Sequence, residues 1–515
     1  MWSGLSGAEY MAGLREYRPC DMESAREMLD GRYLLASKLV DTHGVSPFSA
    51  KIDHLPWHEE LNGFSWLRHF EEARNSQQRE FARTLVLDWI GRNGDYNKDT
   101  WGLALSSRRL MNWLRHFSLL SEGASQAQIN TISQSIALQV QAAKIRAPYA
   151  SERFDELMAT MLLVAVALCD GSDNTKIENL VSNLCKKLIW QLHEGGFYRS
   201  RNSADQLALL EELVSIRLTL SQKSAELISD LGPILDNMHL ALDAMILGTG
   251  EPAYFNGCGQ LPTEMIFSIQ SQGKQRLTSN ANIAGYGIIS QGSGKLIMDN
   301  GLVPIAPYAT KAHASALAIE FSHGNDLIVG SCGPAPEELR PSKDLFRQNK
   351  AHSGPGIDNY SSAKIASDGK LHAYAGQTSM EVGEVEAEIL ANTKAYRSRF
   401  GVEIERRVTL LGDGETLVGQ DRLIGSGNMK NSPGALVQRF HLAPGAFVER
   451  SDMEELVLLR LKSGAVWTFL WEGARLRIEE SVRQSAHIGY HKTQQIVLET
   501  EFGPDVEVSW IFTRQ

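Results

Sequence analysis

A helical region followed by a large antiparallel β-sandwich is the architecture this 515-residue sequence predicts, and three observations predict it. Apolar residues recur at three- and four-residue spacing up to about residue 247. Glycine is sparse there and dense beyond: 14 of the 44 glycines precede residue 248 and 30 lie from residue 248 on. In the second half, alternation of apolar and polar residues replaces the helical period. The predicted domains are a helical one over 1–250 and a sandwich over 251–515, with the change of texture in GTGEPAYFNGCGQLP, 248–262.

Taken in order, the amino terminus MWSGLSGAEYMAGLREYRPCDMESAREML lacks the basic start and continuous apolar core of a secretory signal, which predicts a cytoplasmic chain. Helical stripes run through 79–92, 107–121 and 129–144. The most apolar stretch, Leu157 to Leu168, is too short to span a bilayer and is read as a buried helix. Ile177, Leu180, Val181, Leu184 and Leu188 make the next stripe, Leu207, Leu210, Leu213, Val214 and Leu218 another, and 226–246 the last. In the β half, Val402, Ile404, Val408 and Leu410 alternate with Glu403, Glu405 and Thr409 up to an Asp413-Gly414 hairpin signal. Val506, Val508, Trp510 and Phe512 alternate likewise near the carboxyl end.

Hydrophobic content of 43% and charged content of 22% are those of a globular protein and exclude a disordered or collagen-like one. The net charge of −10 provides no global basic field for nucleic acid, so an anionic ligand needs a locally basic cleft. Cys20, Cys169, Cys185, Cys258 and Cys332 show no CxxC spacing and read as free thiols. No Walker or Rossmann glycine loop is present.

The β half carries KAHASALAIEFSHGNDLIVGSCGP (311–334) and KAHSGPGIDN (350–359). With DGRYLLASKLV (30–40), LNGFSWLRHF (61–70), SRRLMNWLRHF (107–117), EGGFYRSRNSADQLALLEEL (194–213), FNGCG (255–259) and QRFHLAP (438–444), this resembles the heparinase II/III-like polysaccharide lyases over nearly the whole chain. The resemblance implies an incomplete α/α toroid followed by an antiparallel β-sandwich, with an active cleft between them. It also implies an acidic polysaccharide as substrate, a periplasmic or cell-envelope setting, and β-elimination next to a uronate. That reaction needs groups that neutralise the carboxylate and stabilise an enolate-like charge, and groups that move the C5 proton.

Carried over residue by residue, His313 matches the second histidine of the family's strand motif and His352 the histidine after the glycine turn. Zinc-containing relatives hold a structural metal there with an aspartate; here Cys332 is the substitute ligand, so a zinc on His313, His352 and Cys332 is an expectation. Lys311 stands where the family has its first strand histidine. The family's helical-domain tyrosine is missing from Arg201-Asn202-Ser203-Ala204-Asp205, and Tyr198 is the nearest candidate. The expected roles are proton exchange by Tyr198 or His313, and uronate neutralisation by Asn202, Arg201 or Lys311. Arg153, Arg109, Trp113, Arg439 and His441 complete the expected substrate contacts, with Trp101 a further candidate sugar platform.

Structural readings stand beside these. His313 is placed in an apolar strand, where a histidine is usually hydrogen-bonded core. Asn202 or Ser203 is equally an N-cap. Trp113 lies in a helical repeat, where a tryptophan is usually core. His441 is read first as satisfying a sheet partner, with the cleft as the alternative, and Arg439 is read as facing the opposite side of its strand. Two further functions are carried: an acidic-glycan-binding protein that keeps the scaffold without cleaving, and a hydrolase using Glu152 and Asp155.

Overall fold

The computed structural model describes residues 10, 13–71, 75–223, 226–273, 279–374, 378–383, 387–425, 434–451, 455–503 and 506–515. The first nine residues, on which the reading of the amino terminus largely rests, lie outside them. The chain forms two compact units.

The helical unit comprises Met1–Leu192, Leu207–Asn237 and Glu264–Lys274. Its helices include Ser76–Asn93, Leu103–Arg115, Gln126–Arg146, Arg153–Cys169 and Asn174–Gln191. Three of these begin where a polar residue satisfies a free amide: Asn75 accepts from Gln78 N, Asp173 from Lys176 N, and Ser125 forms a reciprocal capping box with Gln128. Leu103–Arg115 packs against Arg153–Cys169 and Gln126–Arg146. The run Leu157–Leu168 is indeed a buried helix, and among the described residues no helix is long and apolar enough to cross a membrane.

The sandwich unit comprises His193–Gln206, Met238–Thr263 and Gln275–Gln515. One sheet has eight strands, from Thr378–Val382 at one edge through Val402–Leu411, Thr416–Gly425 and Glu507–Arg514 to Phe447–Arg450 at the other. The other has nine, running from Arg475–Ser485 through Gly489–Glu501, Ala435–Leu442, Asp326–Gly330, Ala318–His323 and Gly294–Asp299 to Ala281–Ile283. All pairings are antiparallel. The alternation read in 402–410 is the strand's burial pattern, and its core face packs residues of both sheets, among them Phe440 against Trp510 with ring centroids 4.8 Å apart. On that apolar face Arg406 is fully buried, held by Asp421 through Nε–Oδ1 at 2.6 Å and Nη2–Oδ2 at 2.8 Å.

The sequence places one boundary near residue 250, whereas the chain crosses between units several times. His193–Gln206 and Met238–Thr263 join the sandwich because they bond to its strands: Gly248 N donates to Ser322 Oγ at 3.0 Å and Tyr254 N to Glu320 Oε1 at 2.9 Å. Glu264–Lys274 returns to the helical unit, where Arg217 Nη2 donates to Gln272 O at 2.7 Å.

Two local placements differ from expectation. His313 precedes strand Ala318–His323 in an irregular run, because Leu317 at φ 63° turns the chain just before pairing begins. Arg439 and His441 share one face of Ala435–Leu442, since side chains two residues apart on a strand point the same way; the buried Leu436, Phe440 and Leu442 occupy the other.

Candidate functional site

Within the sandwich unit, the residues singled out around 198–205 and 311–313 meet the end of strand Gly294–Asp299 and the FNGCG turn. Arg201 is the centre of this cluster. It has φ 57°, is 3% exposed, and donates through Nη2 to Asp299 Oδ1 and through Nε to Ala284 O at 2.7 Å. Its guanidinium lies 4.2 Å from the centroid of the Tyr286 ring. Asp299 Oδ1 also accepts from Gly301 N at 3.1 Å, and Oδ2 accepts from Ser315 Oγ at 2.6 Å and Asn256 Nδ2 at 3.4 Å. Tyr286 hydroxyl donates to Arg201 O at 2.6 Å and accepts from Asn256 Nδ2 at 2.7 Å. Burial disfavours the charge on Arg201, but Asp299 and Tyr286 beside it hold its pKa above the usual value.

Two glycines admit this packing. A Cβ on Gly301 would stand 2.3 Å from the Arg201 guanidinium carbon, and one on Gly257, at φ +84°, would stand 2.6 Å from Lys311 O.

His313 is 5% exposed and His352 fully buried, with His313 Nδ1 3.1 Å from His352 Nε2. Burial pulls His313 down to about 3, assisted by Arg347, and His352 well below the ordinary value, so both rings are neutral at pH 7. His352 Nδ1 has no partner among the described residues. A bare lone pair is cheaper to leave unpaired than an N–H. The favoured tautomers therefore have His352 Nε2–H donating to the His313 Nδ1 lone pair, which leaves His313 Nε2 protonated. His313, Arg201, Asn256, Asp299 and Ser315 line a cavity of only about 40 Å³.

These contacts correct several expectations. Arg201 is not a free cation for substrate: Asp299 neutralises it. Lys311 is not a desolvated base, because its side chain is 64% exposed and pairs with Asp205 at 2.9 Å. Tyr198 is buried at 1% exposure, edge-on to Tyr308 with centroids 5.5 Å apart, instead of open to a cleft. Asn202 does cap: it precedes helix Ser203–Lys223 and its Oδ1 accepts from Ala204 N at 2.8 Å, while its Nδ2 has no partner among the described residues.

In the helical unit, Arg109 is fully buried, donating to Gln139 Oε1, Asn62 O and Thr100 O, so it braces neutral acceptors instead of meeting a sugar; burial lowers it to about 9. Trp113 and Trp101 are core: Trp113 packs edge-on to Trp89 and Phe64 at 5.5 and 5.3 Å, and Trp101 Nε1 donates to Asn93 O at 2.8 Å. Arg153 pairs with Glu156 at 2.8 Å. Glu152 occupies the N-cap position of Arg153–Cys169 and Asp155 its first turn, where the helix dipole favours acids.

The zinc expectation does not fit. Cys332 Sγ turns to His441 and Ser481, lying 3.7 Å from His441 Nδ1 and 3.9 Å from Ser481 Oγ. Among the described residues no group of three His, Cys, Asp or Glu side chains is placed to hold a metal, and two imidazoles alone fall short of a four-coordinate zinc shell. Burial also raises the Cys332 thiol to about 11, so thiolate is scarce at neutral pH.

Asn256, Tyr286, Asp299 and Ser315 were not singled out from the sequence. A signal existed for two of them: FNGCG ends in turn residues, and Asp299 is an acid closing the apolar run Leu296-Ile297-Met298.

Residues 274–510 match the family described as heparinase II/III-like, C-terminal. FtsZ-localized protein C of Caulobacter vibrioides is 24% identical over 526 residues, covering 96% of this chain and 89% of that protein. The crystal structure of heparinase III superposes with a TM-score of 0.74 at 12% identity, covering 100% of this chain and 86% of that one. A mutant of heparan sulfate lyase HepC from Pedobacter heparinus gives 0.61 at 14% identity, covering 97% and 84%. The solved structures support the architecture predicted from sequence, an incomplete helical toroid followed by an antiparallel sandwich.

Proposed function

We propose that the protein, whose residues 274–510 match the heparinase II/III-like family, binds a uronate-containing acidic glycan on that scaffold without carrying out the family's β-elimination. The observation that carries this reading is the His313–His352 pair. Elimination needs a base with a lone pair aimed at the C5 proton, and the His313 Nδ1 lone pair is engaged by a second buried imidazole. The supporting cation is spent as well, since Arg201 is neutralised by Asp299. Lys311, paired with Asp205 but with a side chain 64% exposed, is the cation of this cluster that a ligand carboxylate can reach.

The test is incubation of the purified chain with heparan sulfate, heparin, chondroitin, hyaluronan, alginate and bacterial capsular glycans, following ultraviolet absorbance of the unsaturated uronate and, in parallel, binding by calorimetry. Binding to at least one polymer with flat absorbance is expected, with affinity reduced in Lys311→Ala. Rising absorbance that disappears in His313→Ala would establish a lyase instead. Failure to bind any uronate polymer would remove this ligand class.

A further inference from the structure

The sandwich unit contains a larger pocket, of about 680 Å³, whose wall holds Ser481 and His441 and none of the residues around Arg201. His441 is 3% exposed, and its Nε2 lies 3.0 Å from Lys350 O. A carbonyl oxygen only accepts, so Nε2 carries the ring proton and Nδ1 presents a lone pair. Ser481 Oγ sits 2.6 Å from that Nδ1, so its O–H donates to the imidazole. A hydroxyl on a base, with the base held in one tautomer by a third group, is the arrangement that activates a serine nucleophile.

We propose that Ser481 is the nucleophile and His441 the general base of a hydrolytic site for small carboxylic esters. Leu339, Leu345 and Phe346 give the pocket an apolar wall for a short acyl group, and Lys350, Lys492 and Gln494 give it a polar, cationic one for the developing oxyanion. Ser481 Oγ adds to the ester carbonyl carbon as its proton passes to His441 Nδ1. Collapse of the tetrahedral intermediate breaks the bond to the alcohol oxygen, which takes that proton. Water then adds to the acyl-serine with the same proton relay, releasing the carboxylic acid and restoring the hydroxyl. Cys332 Sγ, farther from the imidazole at 3.7 Å, is not the attacking atom. The inference does not depend on the glycan reading.

The test treats the purified full-length chain with a fluorophosphonate probe and maps the adduct by peptide mass spectrometry, natively and after unfolding in urea. An adduct on Ser481 in the native protein, lost on unfolding, is expected. In parallel, hydrolysis of p-nitrophenyl acetate and butyrate should fall by roughly 100-fold or more in kcat/KM in Ser481→Ala and in His441→Gln, with unchanged melting temperature in the serine variant. No adduct on Ser481 in the native protein overturns the proposal without requiring any variant to fold. So does ester hydrolysis that survives in Ser481→Ala, or labelling that falls on Cys332 instead.

Discussion

Replacing Asp299 by Asn removes one charge and almost no volume, and the consequence follows from what Asp299 holds. Its carboxylate neutralises a guanidinium that is 3% exposed, and it also accepts from Gly301 N, Ser315 Oγ and Asn256 Nδ2. The asparagine oxygen can keep some of the donors, but Arg201 is left as a buried cation with no compensating charge, its other supports among the described residues being Ala284 O and the Tyr286 ring. Breaking a buried pair by removing one partner costs about 3–5 kcal/mol. For a unit of this size about 2 °C is lost per kcal/mol, so the sandwich transition should fall by about 6–10 °C in scanning calorimetry. Ser315→Ala, which deletes a single neutral donor, should cost about 1 kcal/mol, or about 2 °C. The double variant Arg201→Met, Asp299→Leu replaces the pair by apolar side chains and should recover most of the loss. A drop below about 2 °C in Asp299→Asn, or a double variant whose loss equals the sum of the single ones, would refute the reasoning that Arg201 is held by this charge.

Other outcomes follow from the same structure. His313, His352 and His441 are all buried with pKa values depressed below the unfolded value, so the unfolded state binds protons first; their stabilisation is complete above about pH 6.5 and is lost as pH falls from there toward about 3. Urea midpoints measured between pH 7 and 5 should decline, each histidine contributing up to about 1.4 kcal/mol per pH unit, and a flat profile would contradict it. Gly301→Ala should mimic loss of the Arg201–Asp299 pair, because the added methyl falls on the guanidinium; an unshifted calorimetric transition would show that the neighbouring backbone yields. Asp421→Asn should destabilise the sandwich by about 3–5 kcal/mol in equilibrium unfolding, since Arg406 is fully buried on the core face and Asp421 is its acid. Trp113→Ala should cost the helical unit about 3–5 kcal/mol, with no change in glycan binding by calorimetry, because the ring is core and not a sugar platform.

The sequence by itself determined the order of a helical region and a sandwich, the buried helix at 157–168, the strand over 402–410 and the resemblance to the heparinase II/III-like family that residues 274–510 bear out. These are legible because periodicity and turn chemistry act over a few residues, and each element repeats its signal many times. The roles of individual polar residues were decided only by tertiary structure. Arg201 looks like a free cation in its loop, yet its neutralising acid is 98 residues away; Arg115 and Glu212 are 97 residues apart, and Cys332 and His441 109. The local pattern around Arg201 carries no trace of Asp299, and an arginine bound for a carboxylate substrate and one bound for a buried aspartate have the same side chain. Which of them it is depends on desolvation and on the partner the fold delivers, and both come into being only when distant strands pair.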